Sequence, residues 1–151
     1  LLLSIGSIIG APIAGYLSDK IFRSPKIVLL YSLSLYSLFL IPLTGIWDIE
    51  SPIIFSTVLF WVGFFRSFGM LTYTHVKELF PLSISGTAMA CVNVFVMSGG
   101  AIFMQGLGKV IGYLVRTDPS YPSRAYHVAF FICFLALSIS IVLYAFSKSK
   151  R

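Results

Sequence analysis

Apolar residues in this chain come in five long runs, at about 1–17, 27–46, 53–74, 87–114 and 126–147 in a window near 19 residues. Charges and turn formers collect in the breaks: Asp19 to Lys26, Trp47 to Pro52, Lys77 to Gly86, and Arg116 to Arg124. Lipid offers no partner to an open sheet edge, so runs of this length are read as helices. The ten-residue alternation of a membrane β-barrel is absent. The pattern predicts an all-α integral membrane protein with five transmembrane helices, forming one partial transmembrane domain over 1–151.

Composition narrows the choice further. Hydrophobic residues make up 58% of the chain and charged residues 11%, with a mean hydropathy of +0.94. A soluble domain carries roughly a quarter charged residues, so this chain cannot clothe a water-facing surface, and its expected partner is the lipid bilayer. The net charge of +6 comes mainly from loops and tail. Nucleic-acid binding is excluded because no polar face carries a basic patch.

Basic residues set the expected orientation. Lys20, Arg23, Lys26, Lys77, Lys148, Lys150 and Arg151 fall on one side, against Arg116 and Arg124 on the other. The positive-inside rule then places the C-terminus in the cytoplasm. The chain opens abruptly on Leu1-Leu2-Leu3, with no methionine, basic flank or cleavage site. The expectation is that it begins inside a helix, as the C-terminal piece of something larger.

Small residues divide the segments. The first holds Gly6, Gly10 and Gly15; the third Gly63 and Gly69; the fourth Gly99, Gly100, Gly106, Gly108 and Gly112. Glycine pairs four apart allow close helix approach. The first, third and fourth segments are therefore expected to be interior, and the second and fifth to be lipid-facing struts. Arg66 lies mid-way along the third segment, where an arginine costs roughly 2.5–3.5 kcal/mol on insertion scales. It must face protein or water, on a helical stripe with Val62, Gly63, Gly69, Met70 and Tyr73. It is read either as a cation lining the path of an anionic solute or as a structural arginine. Asn93 and Gln105 in the fourth segment can serve as interhelical glue or as pathway lining.

Enzyme chemistry finds no foothold. His75 and His127 sit near opposite helix ends, and no acid lies mid-span to complete a dyad or a metal site. Cys91 and Cys133 lie in apolar runs and form no CxxC pair. Ser98-Gly99-Gly100 is not followed by the Lys-Ser/Thr of a phosphate loop. No cofactor or metal is expected.

Gly15, Asp19, Lys20 and Arg23 resemble the signature loop of the major facilitator superfamily: Gly, three residues, Asp, a basic residue, one residue, Gly, then a basic pair. Phe22 replaces the second glycine and Ser24 a basic residue. Glu78-Leu79-Phe80-Pro81, Ser85-Gly86-Thr87-Ala88, Asn93 and Gly99-Gly100 are similar to the start of the family's eleventh helix in many bacterial carriers. The resemblance implies that the five segments are helices eight to twelve, the partial C-terminal half of a family-type bundle. It implies alternating access by two rocking halves around a midplane site, in the plasma membrane (the inner one in a bacterium). Asp19 would be a gate residue facing a helix N-terminus of the other half, with Gly15, Lys20 and Arg23 in the same gating loop.

The expected function is the C-terminal part of a secondary transporter for a small solute, an anion among the candidates. Arg66, Asn93 and Gln105 are the expected pathway residues. The missing N-terminal helices of the same protein would be the partner. The alternative is a non-transport membrane subunit or remnant that packs against another protein.

Overall fold

The computed structural model describes residues 1–46, 51–117 and 122–147. Asp48 and Glu50 of the expected outer loop, and Lys148, Lys150 and Arg151 of the tail, lie outside the described residues. The order is α1 (Leu2–Tyr16), α2 (Pro25–Leu40), α3 (Pro52–Arg66), α4 (Leu71–Leu79), α5 (Leu82–Thr117) and α6 (Pro122–Ala145). Short π and 3-10 turns extend or join them. Five stretches are long and apolar enough to cross a membrane: Leu2–Ile21, Pro25–Thr44, Pro52–Leu79, Leu82–Thr117 and Ser123–Ala145.

Prolines punctuate these spans for simple reasons. Pro25 and Pro52 open α2 and α3 at the first helical position, where the missing N–H would have had no partner. Pro42 cannot donate back along α2, and the helix tightens into a 3-10 turn, Ile41–Thr44, before Gly45 reverses the chain at φ 81. Phe80 is pushed to extended backbone by the following Pro81. That ends α4, and Pro81 O then accepts from Ser85 N at 3.0 Å as α5 begins.

Two sequence expectations change here. The first polar break is shorter than Asp19 to Lys26. A π turn, Leu17–Ile21, carries α1 onward, with Phe22 N donating to Leu17 O at 2.9 Å. The link proper is Phe22 to Ser24, with Arg23 left-handed at φ 48. The third segment is also not one α-helix: a 3-10 turn, Ser67–Met70, separates α3 from α4.

Packing is tightest between α1 and α3. A methyl group at Gly6 would stand 2.8 Å from Phe64 N, and one at Gly63 would stand 2.7 Å from Leu3 Cα. Ser7 Oγ donates across the seam to Gly63 O at 2.9 Å. Two apolar clusters fill the bundle. Ala14, Val28, Leu29, Phe68 and Leu71 form one; Leu40, Leu43, Val58 and Val62 form the other. Phe39 of α2 stacks on Trp61 and Phe65 of α3, at 5.8 and 5.7 Å between centroids.

The division into interior helices and struts fails for the second and fourth segments; the fifth, α6, is largely exposed as expected of a strut. The second span is the most enclosed within the chain, at 33% of its apolar window, because it packs against α3, α4 and α6. For α5 the share is 0%. Its glycines have open space where a side chain would go.

Candidate functional site

Arg66 is the last residue of α3, directly before the 3-10 turn, and its side chain is exposed. The acids of the described spans, Asp19 and Glu78, are both far along toward the end that carries Lys20, Arg23, Lys26 and Lys77. No acid therefore neutralises Arg66 at its own depth among the described residues.

The 3-10 turn re-aims the whole of α4. Four residues at 3.0 rather than 3.6 per turn overwind the helix by about 80°. Tyr73 thereby leaves the stripe it was expected to share with Arg66. It turns to α5, where its hydroxyl donates to Asn93 Oδ1 at 3.0 Å. The spacing along α3, the turn and α4 puts this pair about 12 Å nearer the basic end than Arg66. Gln105 lies twelve residues on from Asn93, about 18 Å along α5 in the opposite direction. The three residues thus mark three depths on exposed surfaces and do not converge on one point.

The candidate gating residues run from the end of α1, through the π turn, into the link that follows. Asp19 and Lys20 are exposed within the π turn, and Lys20 Nζ lies 5.4 Å from the centre of the Tyr16 ring. Gly15 has open space on its free side. Arg23 takes up the left-handed turn and projects from the link.

Sequence reasoning passed over a polar layer at the same end. Lys26 Nζ donates to Ala145 O at 3.0 Å and to Ser147 O, tying the first turn of α2 to the end of α6. A cation is well placed against the carbonyls of a helix C-terminus. His75 of α4 is buried at 3% exposure, and its Nδ1 lies 2.5 Å from the Tyr144 hydroxyl of α6. Sequence distance hid this pair, since 69 residues separate its members.

A family model, Major Facilitator Superfamily, matches residues 1–151. The chain belongs to the Major Facilitator Superfamily. It therefore has the fold of a transporter family, as a multi-pass membrane protein. No curated protein and no solved structure matches it. Among the described residues, no cluster of three or more histidines, cysteines or acids is placed to hold a metal.

Proposed function

We propose that this superfamily member is part of a secondary carrier that moves a small anionic solute by alternating access, with its basic end in the cytoplasm. One observation bears most of the weight: Arg66 is exposed at mid-span, beside a helix break, with no acid at its depth among the described residues. A cation so placed is costly unless it meets water, protein or a counter-charge, and an anion in transit supplies one. Asn93 and Gln105 offer polar groups on either side of it in depth. The Tyr73–Asn93 bond closes α4 onto α5 below it.

Asp19 and Lys20 form the gating turn, with Gly15 leaving room for an opposing helix and Arg23 adding charge beside it. The open glycine face of α5 suits docking against preceding helices of the same protein. Those helices would complete the cavity.

Uptake of labelled small carboxylates and phosphates by liposomes holding the full-length protein tests the reading. Arg66→Leu and Asp19→Asn are each expected to cut uptake at least about tenfold at unchanged protein level, the loss of roughly 1.4 kcal/mol of stabilisation. Undiminished uptake in both variants would remove these residues from the pathway and the gate. No uptake of any anion by the wild type would favour a packing subunit.

A further inference from the structure

We propose that His75 is a proton-binding site of this protein, which takes a proton from the cytoplasm and couples it to opening of the basic end. The coupling rests on the carrier reading above; the proton site does not. Among the described residues, His75 is the buried side chain that ordinarily titrates near neutral pH.

Its surroundings form a layer built from four helices. Ala14 and Leu71 share the apolar cluster at this end, and Tyr144 packs against that cluster. One turn further along α1 and α4 stand Ser18 and His75, at 2% and 3% exposure. Tyr144 meets Nδ1 from α6. Ser18 Oγ is buried and has no hydrogen-bond partner among the described residues, although buried hydroxyls are nearly always satisfied. An orphan hydroxyl in the same layer as a buried imidazole marks a place where a donor or a water is wanted.

The charged and titratable groups around the layer can be named element by element. From α2 comes Lys26, held by the carbonyls at the end of α6. From α4 itself come Lys77 and Glu78, two and three residues beyond His75. From the first span come Asp19 and Lys20, in the same π turn as Ser18. The first charged residue of α5 is Lys109, far from this end.

Proton balance is simple. With the imidazole neutral as its Nε2–H tautomer, Nδ1 accepts the Tyr144 O–H. A proton arriving from cytoplasmic water makes both ring nitrogens donors, so the Tyr144 hydroxyl must turn and accept. The layer then holds a buried cation close to Lys26. A buried charge is tolerated only when paired or hydrated, so the protonated form favours water entering this layer. Ser18, one turn beyond the Ala14 that shares the cluster with Leu71, adjoins Asp19, which links proton uptake to the gating turn.

The test needs no solute at first. Isotope-labelled histidine is introduced into the full-length protein, and the His75 resonance is taken as the one lost in His75→Gln. His75→Asn gives the same subtraction if the glutamine variant is not monodisperse. The resonance is expected to titrate between about pH 5 and 8, and Tyr144→Phe is expected to change the proton affinity about 2- to 10-fold. A resonance that does not titrate in that range, or a midpoint indifferent to Tyr144→Phe, overturns the proton site. A trapped pH dye then reads proton movement during anion uptake. Acidification in the wild type that is lost in His75→Gln, with solute exchange retained, supports the coupling. Acidification that persists in His75→Gln overturns it. A titrating His75 in a protein that moves no anion overturns the carrier reading and leaves the proton site standing.

Discussion

The α1–α3 seam and the exposed face of α5 are both rich in glycine, yet the same residue does opposite work in them. At the seam, Gly6, Gly10 and Gly63 let two backbones meet, and any added methyl would strike main-chain atoms. Along α5, a methyl added at Gly99, Gly100, Gly106, Gly108 or Gly112 would meet no other part of the described chain within 4 Å. The seam is a finished contact. The α5 face is a surface with its small residues outward, and glycine spacing alone does not distinguish the two.

The sharpest way to break that contrast is a methyl group on each side. Gly63→Ala forces Leu3 and its backbone away from α3. Overpacking of this kind typically costs 1–3 kcal/mol, and contact with backbone rather than a flexible side chain puts the expected loss near about 3 kcal/mol. Gly108→Ala meets open space and is expected to change stability by no more than about 1 kcal/mol, in the favourable direction. Thermal unfolding of the purified protein in detergent checks both. Equal losses at the two positions would mean that α5 is as tightly packed in the membrane as the seam.

That difference also shows what could be read from residues alone. The five runs and the Gly6–Gly10 pair were legible because hydropathy and four-residue spacing are local signals. The length of the first helix was not. Asp19 and Lys20 look like loop residues, but π-type i→i−5 bonding, as from Phe22 N to Leu17 O, keeps them helical. The aim of Tyr73 was hidden for a similar reason: the 3-10 turn contains no proline to announce it, and a wheel drawn at 3.6 residues per turn carries Tyr73 to the wrong face. Lys26, His75 and Tyr144 meet only when α2, α4 and α6 do.

The link after the first span offers a smaller test. Arg23 adopts φ 48, a conformation that costs a residue with a Cβ about 1 kcal/mol relative to glycine. Arg23→Gly is expected to raise stability by about that amount, read as an upward shift of the thermal midpoint. If the guanidinium also serves the gate, uptake falls while stability rises, and the two measurements separate backbone strain from charge. A fall in stability would mean that the Arg23 side chain contributes more to this turn than its backbone costs.

The smallest expected effect concerns the side-chain bond that ties the exposed helix to the packed ones, Tyr73 to Asn93. Interhelical hydrogen bonds in membranes average about 0.6 kcal/mol, so Tyr73→Phe should barely move the thermal midpoint. Its consequence for geometry is larger, because α5 is otherwise held by α4 and α6 with its far side open. Cross-linking between cysteines placed at 73 and 93, in a background lacking Cys91 and Cys133, reports how firmly the two helices are held together. Efficient cross-linking that halts uptake, with recovery on reduction, would mean that α5 must part from α4 during the transport cycle. Uptake that continues with the link in place would make the pair a fixed strut, and the moving contact would have to lie on the open glycine face.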